Sequence, residues 1–131
     1  MYTMKQTCEL IGLNYEALKF YCNQGLVPNV KRDANNRRVF DDRDVAWIRS
    51  LICLKNCGMG IERMKEYMKL CLQGRSSVPV RQQILQEQRE ELLSRMRRLQ
   101  ESIDFIDSKN RYYEDILAGR AEYTSNLIQV Q

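Results

Sequence analysis

Hydrophobic and polar residues recur with a helical period in two short segments at the start of the chain. Thr3 followed by Gln6 predicts a capping box, in which the threonine hydroxyl accepts from a free backbone donor and the glutamine reaches back. This first helix is expected to end at Gly12. Asn14 can cap a second helix that ends at Gly25, because glycine accepts the left-handed conformation that closes a helix. Two short helices joined by a turn predict a helix-turn-helix unit.

A change in residue type after the second helix predicts a wing and a third helix. Residues 29 to 40 hold turn residues at their centre and the sequence RRVF at their exit, which indicates a small β-hairpin or wing. Asp41 and Asp44 mark the start of a third helix that runs to about Cys57, since acidic side chains are favourable at the positive end of a helix. These elements predict a mainly α-helical fold with a winged helix-turn-helix domain.

A fourth helix closes the first predicted domain. It is expected over about residues 61 to 73 and ends before Gly74. The sequence GRSSVP that starts there is the stretch whose composition is most typical of a linker. We therefore predict a winged helix-turn-helix domain over residues 1–74, a long helix over residues 77–118 and a short tail over residues 119–131.

The long helix carries a heptad pattern. From Pro79 to about Ala118 there is no glycine or further proline, and apolar residues recur in alternating steps of four and three. A helix of about forty residues is about 60 Å long, so a fold of this size cannot bury the stripe internally. The preceding helices are too short to cover it, and we expect a second copy of the chain to do so. The predicted dimer interface is Leu85, Leu92, Met96, Leu99, Ile103, Ile106, Asn110, Tyr113 and Leu117.

Composition narrows the class of protein. With 44% hydrophobic residues, 29% charged residues and two prolines, the 131-residue chain is typical of ordered proteins. No apolar run is long enough to cross a bilayer, and the N-terminus lacks the pattern of a secretory signal, so we expect a cytoplasmic protein without a membrane partner. The five cysteines are an odd number in a reducing compartment, and structural disulfides are therefore not expected.

Charge and helix faces point to DNA as the partner. The net charge of +4 permits an anionic ligand, and six basic residues lie between Lys31 and Arg49. In the second helix Ala17, Leu18 and Tyr21 share one side, which we expect to face the core. The opposite side is either an ordinary solvated face or, together with the basic wing, a surface for a major groove and its phosphates. The candidate DNA contacts are Asn14, Tyr15, Lys19, Phe20, Lys31, Arg37 and Arg38.

Three stretches in this order and spacing resemble the DNA-binding domain of MerR-family bacterial transcription regulators. They are YTMKQTCELIGLNYEALKFYCNQGLVP, NNRRVFDDRDVAWI and LKNCGMGIERMKEYM, and the long terminal helix extends the resemblance over about residues 2–118. The resemblance implies a homodimer joined by an antiparallel coiled coil. It also implies a palindromic promoter operator, activation by bending and untwisting that DNA, and RNA polymerase as a partner at the promoter.

The resemblance also assigns individual positions. It places Lys19 at the usual arginine of the family, Phe20 at a tyrosine and Arg38 at the wing arginine. This sequence departs from the pattern at Cys22, where glutamate is usual, and at Asn36 and Arg37, which replace a glycine and an aromatic residue.

Other chemistries find little support in the residues. A tight metal site needs several soft ligands, but neither the linker nor the tail contains cysteine or histidine, so no metal or other cofactor is expected. An enzyme is disfavoured because the chain lacks a C-x-x-C pair and any histidine base. The tail is also too short for an appended drug-binding domain.

Cys53 is the candidate sensor. In the third helix it lies opposite the bulky residues, on a strip with Arg49 and Cys57. Arg49 favours the reactive thiolate, whereas the negative end of the helix disfavours it. The segment ICLKNCGMGIE resembles the aldehyde- and nitric-oxide-responsive NmlR-like or AdhR-like subgroup, which implies a sensor role for Cys53. The alternative is a constitutive DNA-architectural protein or repressor whose cysteines are all structural, as we expect for Cys8 and Cys71.

Overall fold

Five α-helices and three short β-strands make up residues 1–130, the part of the chain that the computed structural model describes. In chain order the elements are β1 (Tyr2–Thr3), α1 (Met4–Ile11), α2 (Tyr15–Asn23), β2 (Lys31–Arg32), β3 (Arg38–Phe40), α3 (Asp42–Asn56), α4 (Ile61–Leu72), a 3₁₀ turn (Arg75–Ser77) and α5 (Val78–Leu117). The predicted fold class, a mainly helical chain with a winged helix-turn-helix and a long C-terminal helix, is confirmed. The chain divides into two compact units, residues 1–90, here called the head, and the residues from 91 onward, called the distal unit.

Local hydrogen bonds set the boundaries of the first two helices. Thr3 Oγ1 accepts from the backbone N–H of Gln6 at 3.1 Å, and Gln6 Oε1 accepts from the backbone N–H of Thr3 at 2.9 Å. Gly12 ends α1 in the left-handed conformation with φ of 69°. Asn14 Oδ1 accepts from the backbone N–H of Ala17 at 2.8 Å and so caps α2. These caps confirm the predicted starts of both helices. Each start could be predicted because its cap joins residues only three apart.

The wing belongs to a three-stranded antiparallel sheet with strand order β1-β3-β2. β2 and β3 form the predicted hairpin, and β1 pairs with the other edge of β3, where Tyr2 lies opposite Phe40. In the hairpin turn the Asp33 carboxylate accepts from the backbone N–H of Arg37 at 3.0 Å. Asn36 has φ of 59°, a left-handed conformation that asparagine tolerates better than most residues. Strand β1 was not predicted, because two residues show no period.

The core of the head lies between its helices and the sheet. Leu18 and Tyr21 are buried on the predicted side of α2. Trp47 is only partly buried, and its indole Nε1–H donates to the carbonyl of Leu26 at 2.7 Å, which satisfies its polar atom. The largest fully buried apolar side chains are Leu18, Leu26, Phe40, Ile48, Leu51 and Met64.

The segment with linker composition is folded. Residues Arg75–Ser77 form the 3₁₀ turn, and the Ser77 hydroxyl is buried and donates to the carbonyl of Gly74 at 2.9 Å. Helix α5 therefore begins at Val78, directly after the turn. Pro79 lies in its first turn, where the missing N–H of proline leaves no helical hydrogen bond unmade. The Ser77 hydroxyl also donates to the carbonyl of Leu70, near the end of α4.

The first turns of α5 belong to the head. Ile84 and Gln88 are each only 5% exposed, so the structural division lies near Glu90, deeper in the helix than the change in composition at residue 74. In the distal unit the Tyr112 hydroxyl accepts from the backbone N–H of Thr124 at 3.0 Å, which holds the tail against the last turns of the helix. None of the helices within residues 1–130 is long and apolar enough to cross a lipid bilayer.

Candidate nucleic-acid interface and thiol sites

The outer face of α2 presents the residues that the sequence analysis selected there. Tyr15 is 52% exposed and Phe20 is 45% exposed, and Lys19 is exposed between them. Asn14 is exposed too, but its amide oxygen is used as the cap of α2, so its amide nitrogen is the group left for a ligand. The face combines aromatic edges, a cation and an amide, which are groups that contact bases and backbone in a major groove.

The wing arginines are held at different points. The Arg38 guanidinium donates to Oδ1 of Asn23 at 2.7 Å, which connects strand β3 with the end of α2. Arg37 is exposed in the turn of the hairpin. The Arg32 guanidinium donates to the carbonyl of Asn36 at 2.8 Å and so braces the turn from the β2 side. Arg32 and Arg38 therefore lie on two strands, β2 and β3, whose backbones are hydrogen-bonded to each other.

Lys31 has a structural partner in addition to its predicted role. Its Nζ lies 2.8 Å from Oδ2 of Asp41, the residue that caps α3, and the lysine side chain is about half exposed. The Lys31 ammonium, together with the backbone N–H of Asp44, holds the pKa of the Asp41 carboxyl at about 2, below its ordinary value of 3.8. Burial raises the pKa of the neighbouring Asp44 carboxyl instead. The Asp41 carboxylate thus compensates part of the charge of Lys31 within the head before any ligand binds.

A basic groove lies between the start of α1, the start of α2 and the wing. We use this name for the cavity of about 490 Å³ whose lining includes Lys5, Tyr15, Arg32, Arg37 and Arg38. The acidic residue in its lining is Asp33, whose carboxylate is engaged in the hairpin turn. Four cations therefore line one cavity, and their charge is complementary to that of the phosphates in a nucleic-acid backbone.

Two of these cations, Lys5 and Arg32, were missed as contacts by the sequence analysis. Lys5 lies in the first turn of α1, and the pairing of β1 with β3 brings that turn beside the wing. No local pattern reveals this proximity, because it depends on the register of a two-residue strand. Arg32 was counted among the basic residues of the wing, and its charge was the signal that could have found it.

The five thiols are all free, and they differ in exposure. Cys53 is exposed, while Cys8, Cys22, Cys57 and Cys71 are partly buried. Burial raises the pKa of both Cys8 and Cys22, which pack against the core of the head, and so favours their neutral thiols. The Cys71 sulfur accepts from the Arg81 guanidinium at 3.7 Å.

Cys53 lies one turn before the end of α3 and one turn after Arg49. The Arg49 guanidinium donates to the carbonyl of Leu10 at 3.1 Å, so it also serves as a contact to the end of α1. Within residues 1–130 no group of three or more histidine, cysteine, aspartate or glutamate side chains is arranged to hold a metal ion.

The apolar positions of the heptad seam, meaning the predicted interface residues of α5, are exposed. Their exposed fractions run from 36% at Leu92 to 88% at Leu117. The other members of this group are Leu85, Met96, Leu99, Ile103, Ile106 and Tyr113. Asn110, the polar member of the predicted interface, is exposed as well. The single chain therefore leaves a stripe of large apolar side chains in contact with water.

Comparison with known proteins gives matches over most of the chain. Residues 2–71 match the model of a family described as MerR HTH family regulatory protein. The chain is 30% identical over 129 residues to an uncharacterized HTH-type transcriptional regulator of Haemophilus influenzae, covering 98% of this chain and 96% of that protein. It is 35% identical over 88 residues to the HTH-type transcriptional regulator AdhR of Bacillus subtilis, covering 67% of this chain and 63% of AdhR.

A solved structure extends the comparison to a DNA complex. HiNmlR, described as a MerR family regulator lacking the sensor domain and bound to promoter DNA, is similar with a TM-score of 0.74 and 31% sequence identity. The match covers 89% of this chain and 93% of that one. These relatives are transcriptional regulators and not enzymes.

Proposed function

Because this chain belongs to the MerR family of DNA-binding helix-turn-helix transcriptional regulators, we propose that it acts as a homodimer on a palindromic promoter operator and responds to reactive compounds through Cys53. The observation that carries the DNA-binding mode is the basic groove beside the exposed face of α2. This activity would take place in the cytoplasm, where promoter DNA is found.

We assign the face of α2 to the major groove and the basic groove to the phosphates next to it. In this assignment Tyr15 and Lys19, both exposed on α2, contact base edges and backbone, while Lys5, Arg37 and Arg38, which line the groove, neutralise phosphates. Phosphate contacts position a protein on the duplex, whereas base contacts specify sequence. We further propose that the bound dimer distorts the promoter and acts together with RNA polymerase. Bending a duplex can favour one promoter geometry over another.

The dimer is proposed from the exposed seam. Burying a large apolar side chain stabilises an assembly by about 1.5–3 kcal/mol, and the seam offers eight of them in each chain. Two copies related by a twofold axis present two heads, and a palindrome repeats its half-site with the same symmetry. A seam of this length therefore supports both the homodimer and the form of the operator.

DNA binding can be tested by selecting duplexes from a random library with the full-length protein and measuring affinity by fluorescence anisotropy. The selected sequences should be palindromic. Lys5→Gln and Arg37→Gln should each weaken binding similarly on all duplexes and reduce the slope of log affinity against log salt by about 1. Lys55→Gln, which removes an exposed cation at the end of α3, is the matched control and should leave the slope unchanged. Equal slopes for all variants would contradict the assignment of the basic groove.

The sensor role rests on the exposure of Cys53 and on its resemblance to the sensor position of the thiol-responsive subgroup. A thiolate can add to an aldehyde or be oxidised, and either change adds bulk near the end of α3. In a promoter reporter, formaldehyde, methylglyoxal or an oxidant should induce the wild type but not Cys53→Ser, while both bind the operator. Cys71→Ser is the control and should still respond. A full response in Cys53→Ser would eliminate the sensor role and leave the regulator intact.

A second candidate is a constitutive DNA-architectural protein or repressor without an effector. It is favoured by the description of the DNA-bound relative HiNmlR as lacking the sensor domain. Titration of the native protein with a thiol reagent separates the two candidates. One fast thiol that is absent in Cys53→Ser supports the sensor, whereas uniformly slow cysteines support the constitutive protein.

A further inference from the structure

A buried amide side chain connects the end of α3 with α5. Gln88 is 5% exposed, and its Nε2 donates to the backbone carbonyl of Cys57 at 2.7 Å. Cys57 is the residue that caps α3, and its own N–H donates to the carbonyl of Cys53 at 3.0 Å. Two consecutive hydrogen bonds thus lead from the backbone of Cys53 to the long helix.

The surroundings of this contact make it costly to lose. Gln88 is almost fully buried, and Ile84, one turn earlier in α5, belongs to the core cluster of the head, so the Gln88 amide has little access to water as a replacement partner. The last carbonyl groups of a helix have no partner within the helix, and Gln88 supplies one for Cys57. A buried carbonyl left without a donor is destabilised by the loss of its hydration. The pairing of α3 with α5 therefore depends on the position of the last turn of α3.

We infer that Gln88 is a positioning residue that transmits modification of Cys53 to α5, an inference that rests on the proposed function. When the Cys53 thiol adds to an aldehyde, its proton goes to water, the sulfur bonds to the carbonyl carbon, and the carbonyl oxygen takes the π electron pair and a proton from water. The new group is attached one turn before Cys57, whose N–H donates to the Cys53 carbonyl, so a change in the backbone of this last turn moves the Cys57 carbonyl away from Gln88. Helix α5 then loses its hydrogen bond to the end of α3.

The neighbouring residue provides a matched control. Glu87 is exposed and forms an ion pair with Arg63 of α4, so it joins α5 to a different helix. Glu87→Gln weakens that exposed pair and leaves the contact with α3 in place. Gln88→Met preserves length and burial and removes the donor, while Gln88→Glu preserves shape and places an acceptor against the Cys57 carbonyl.

The test is a double-mutant cycle between modification and substitution. Iodoacetamide is the probe. The Cys53 sulfur bonds to its methylene carbon, iodide leaves and the thiol proton goes to the buffer. Mass spectrometry identifies the preparation in which each chain carries one adduct, at residue 53. Affinity for the selected duplex is measured for the wild type, Gln88→Met, Gln88→Glu and Glu87→Gln, with and without the adduct. We expect the adduct to change affinity by about tenfold in the wild type and in Glu87→Gln, and by under about threefold in both Gln88 variants.

Hydrogen exchange gives a second readout that needs no DNA. The adduct should speed exchange of the backbone amides of residues 57–59 in the wild type, and both Gln88 variants should exchange fast there before modification. Circular dichroism confirms that each variant is folded. If the wild type responds to the adduct and the Gln88 variants respond equally, the inference fails and the sensor stands. If the adduct changes neither the affinity nor the hydrogen exchange of the wild type, the inference fails, and the reporter experiment with Cys53→Ser decides the sensor role separately.

Discussion

The head and the distal unit differ in how far their apolar side chains are buried. In the head Leu18, Ile48 and Leu51 are completely buried, and the starts of α1, α2 and α3 are capped by side chains of the same unit. In the distal unit Leu99, Ile103 and Ile106 are more than half exposed. The head has a buried apolar core, whereas the distal unit has an apolar stripe that a single chain does not cover. The first is therefore expected to behave as a folding unit and the second as an assembly unit.

The largest expected effect comes from a charge in the seam. Leu99→Asp removes one apolar side chain per chain from the proposed interface, and we expect the dimer dissociation constant to rise by about 100-fold or more. Analytical ultracentrifugation at micromolar concentration measures it. Glu101→Ala, an exposed position outside the seam, is the control. An unchanged dimer dissociation constant in Leu99→Asp would show that the distal unit does not assemble through the seam.

A cavity in the core should destabilise the head. Leu18→Ala should lower the free energy of unfolding by about 2–5 kcal/mol, because it deletes a side chain with no exposed surface. Trp47, the single tryptophan of the chain, lies in the head and reports its unfolding by fluorescence in urea. Leu10→Ala, at a residue that is 45% exposed, should cost far less. Equal losses in the two variants would mean that burial does not distinguish these positions.

The cap of α3 should make the head sensitive to acid. The pKa of Asp41 is about 2 in the folded protein, below its ordinary 3.8, so its stabilising contribution is complete above pH 3.8 and is lost as the pH falls towards 2. Asp41→Asn should lower the melting temperature at pH 6, and its difference from the wild type should shrink as the pH falls. Trp47 fluorescence melts measure both. A difference that is the same at pH 6 and pH 2.5 would show that the charge of Asp41 contributes nothing.

The smallest effect is expected at the tail. The Tyr112 hydroxyl donates to the carbonyl of Glu122 at 3.0 Å and accepts from the backbone N–H of Thr124 at 3.0 Å. Tyr112→Phe removes these contacts, which are exposed and contribute about 1 kcal/mol or less. Hydrogen exchange of residues 122–128 should become faster while the melting temperature of the head stays unchanged. A lower melting temperature would show that the two units depend on each other for stability.

Much of the fold was predictable because its signals are local. The capping boxes at Thr3 and Asp41 join residues three apart, and a helix start can therefore be read from a few letters. The period of α5 shows over forty residues and needs no tertiary information. The outer face of α2 followed from its period, and the structure leaves Tyr15, Lys19 and Phe20 exposed there. Two features were not visible in the sequence: strand β1, which is only two residues long, and the 3₁₀ turn before α5, where Ser77 forms hydrogen bonds within a stretch of linker composition.

The amino-acid sequence by itself determined the helices, their caps, the exposed stripe of α5 and the family, because each depends on nearby residues or on an ordered set of motifs. Tertiary structure alone decided which distant groups meet. It brought Lys5 beside Arg37, paired Lys31 with Asp41 and placed Gln88 on the carbonyl of Cys57, 31 residues away. Such contacts depend on strand register and on the packing of one helix against another, and neither leaves a period in the sequence.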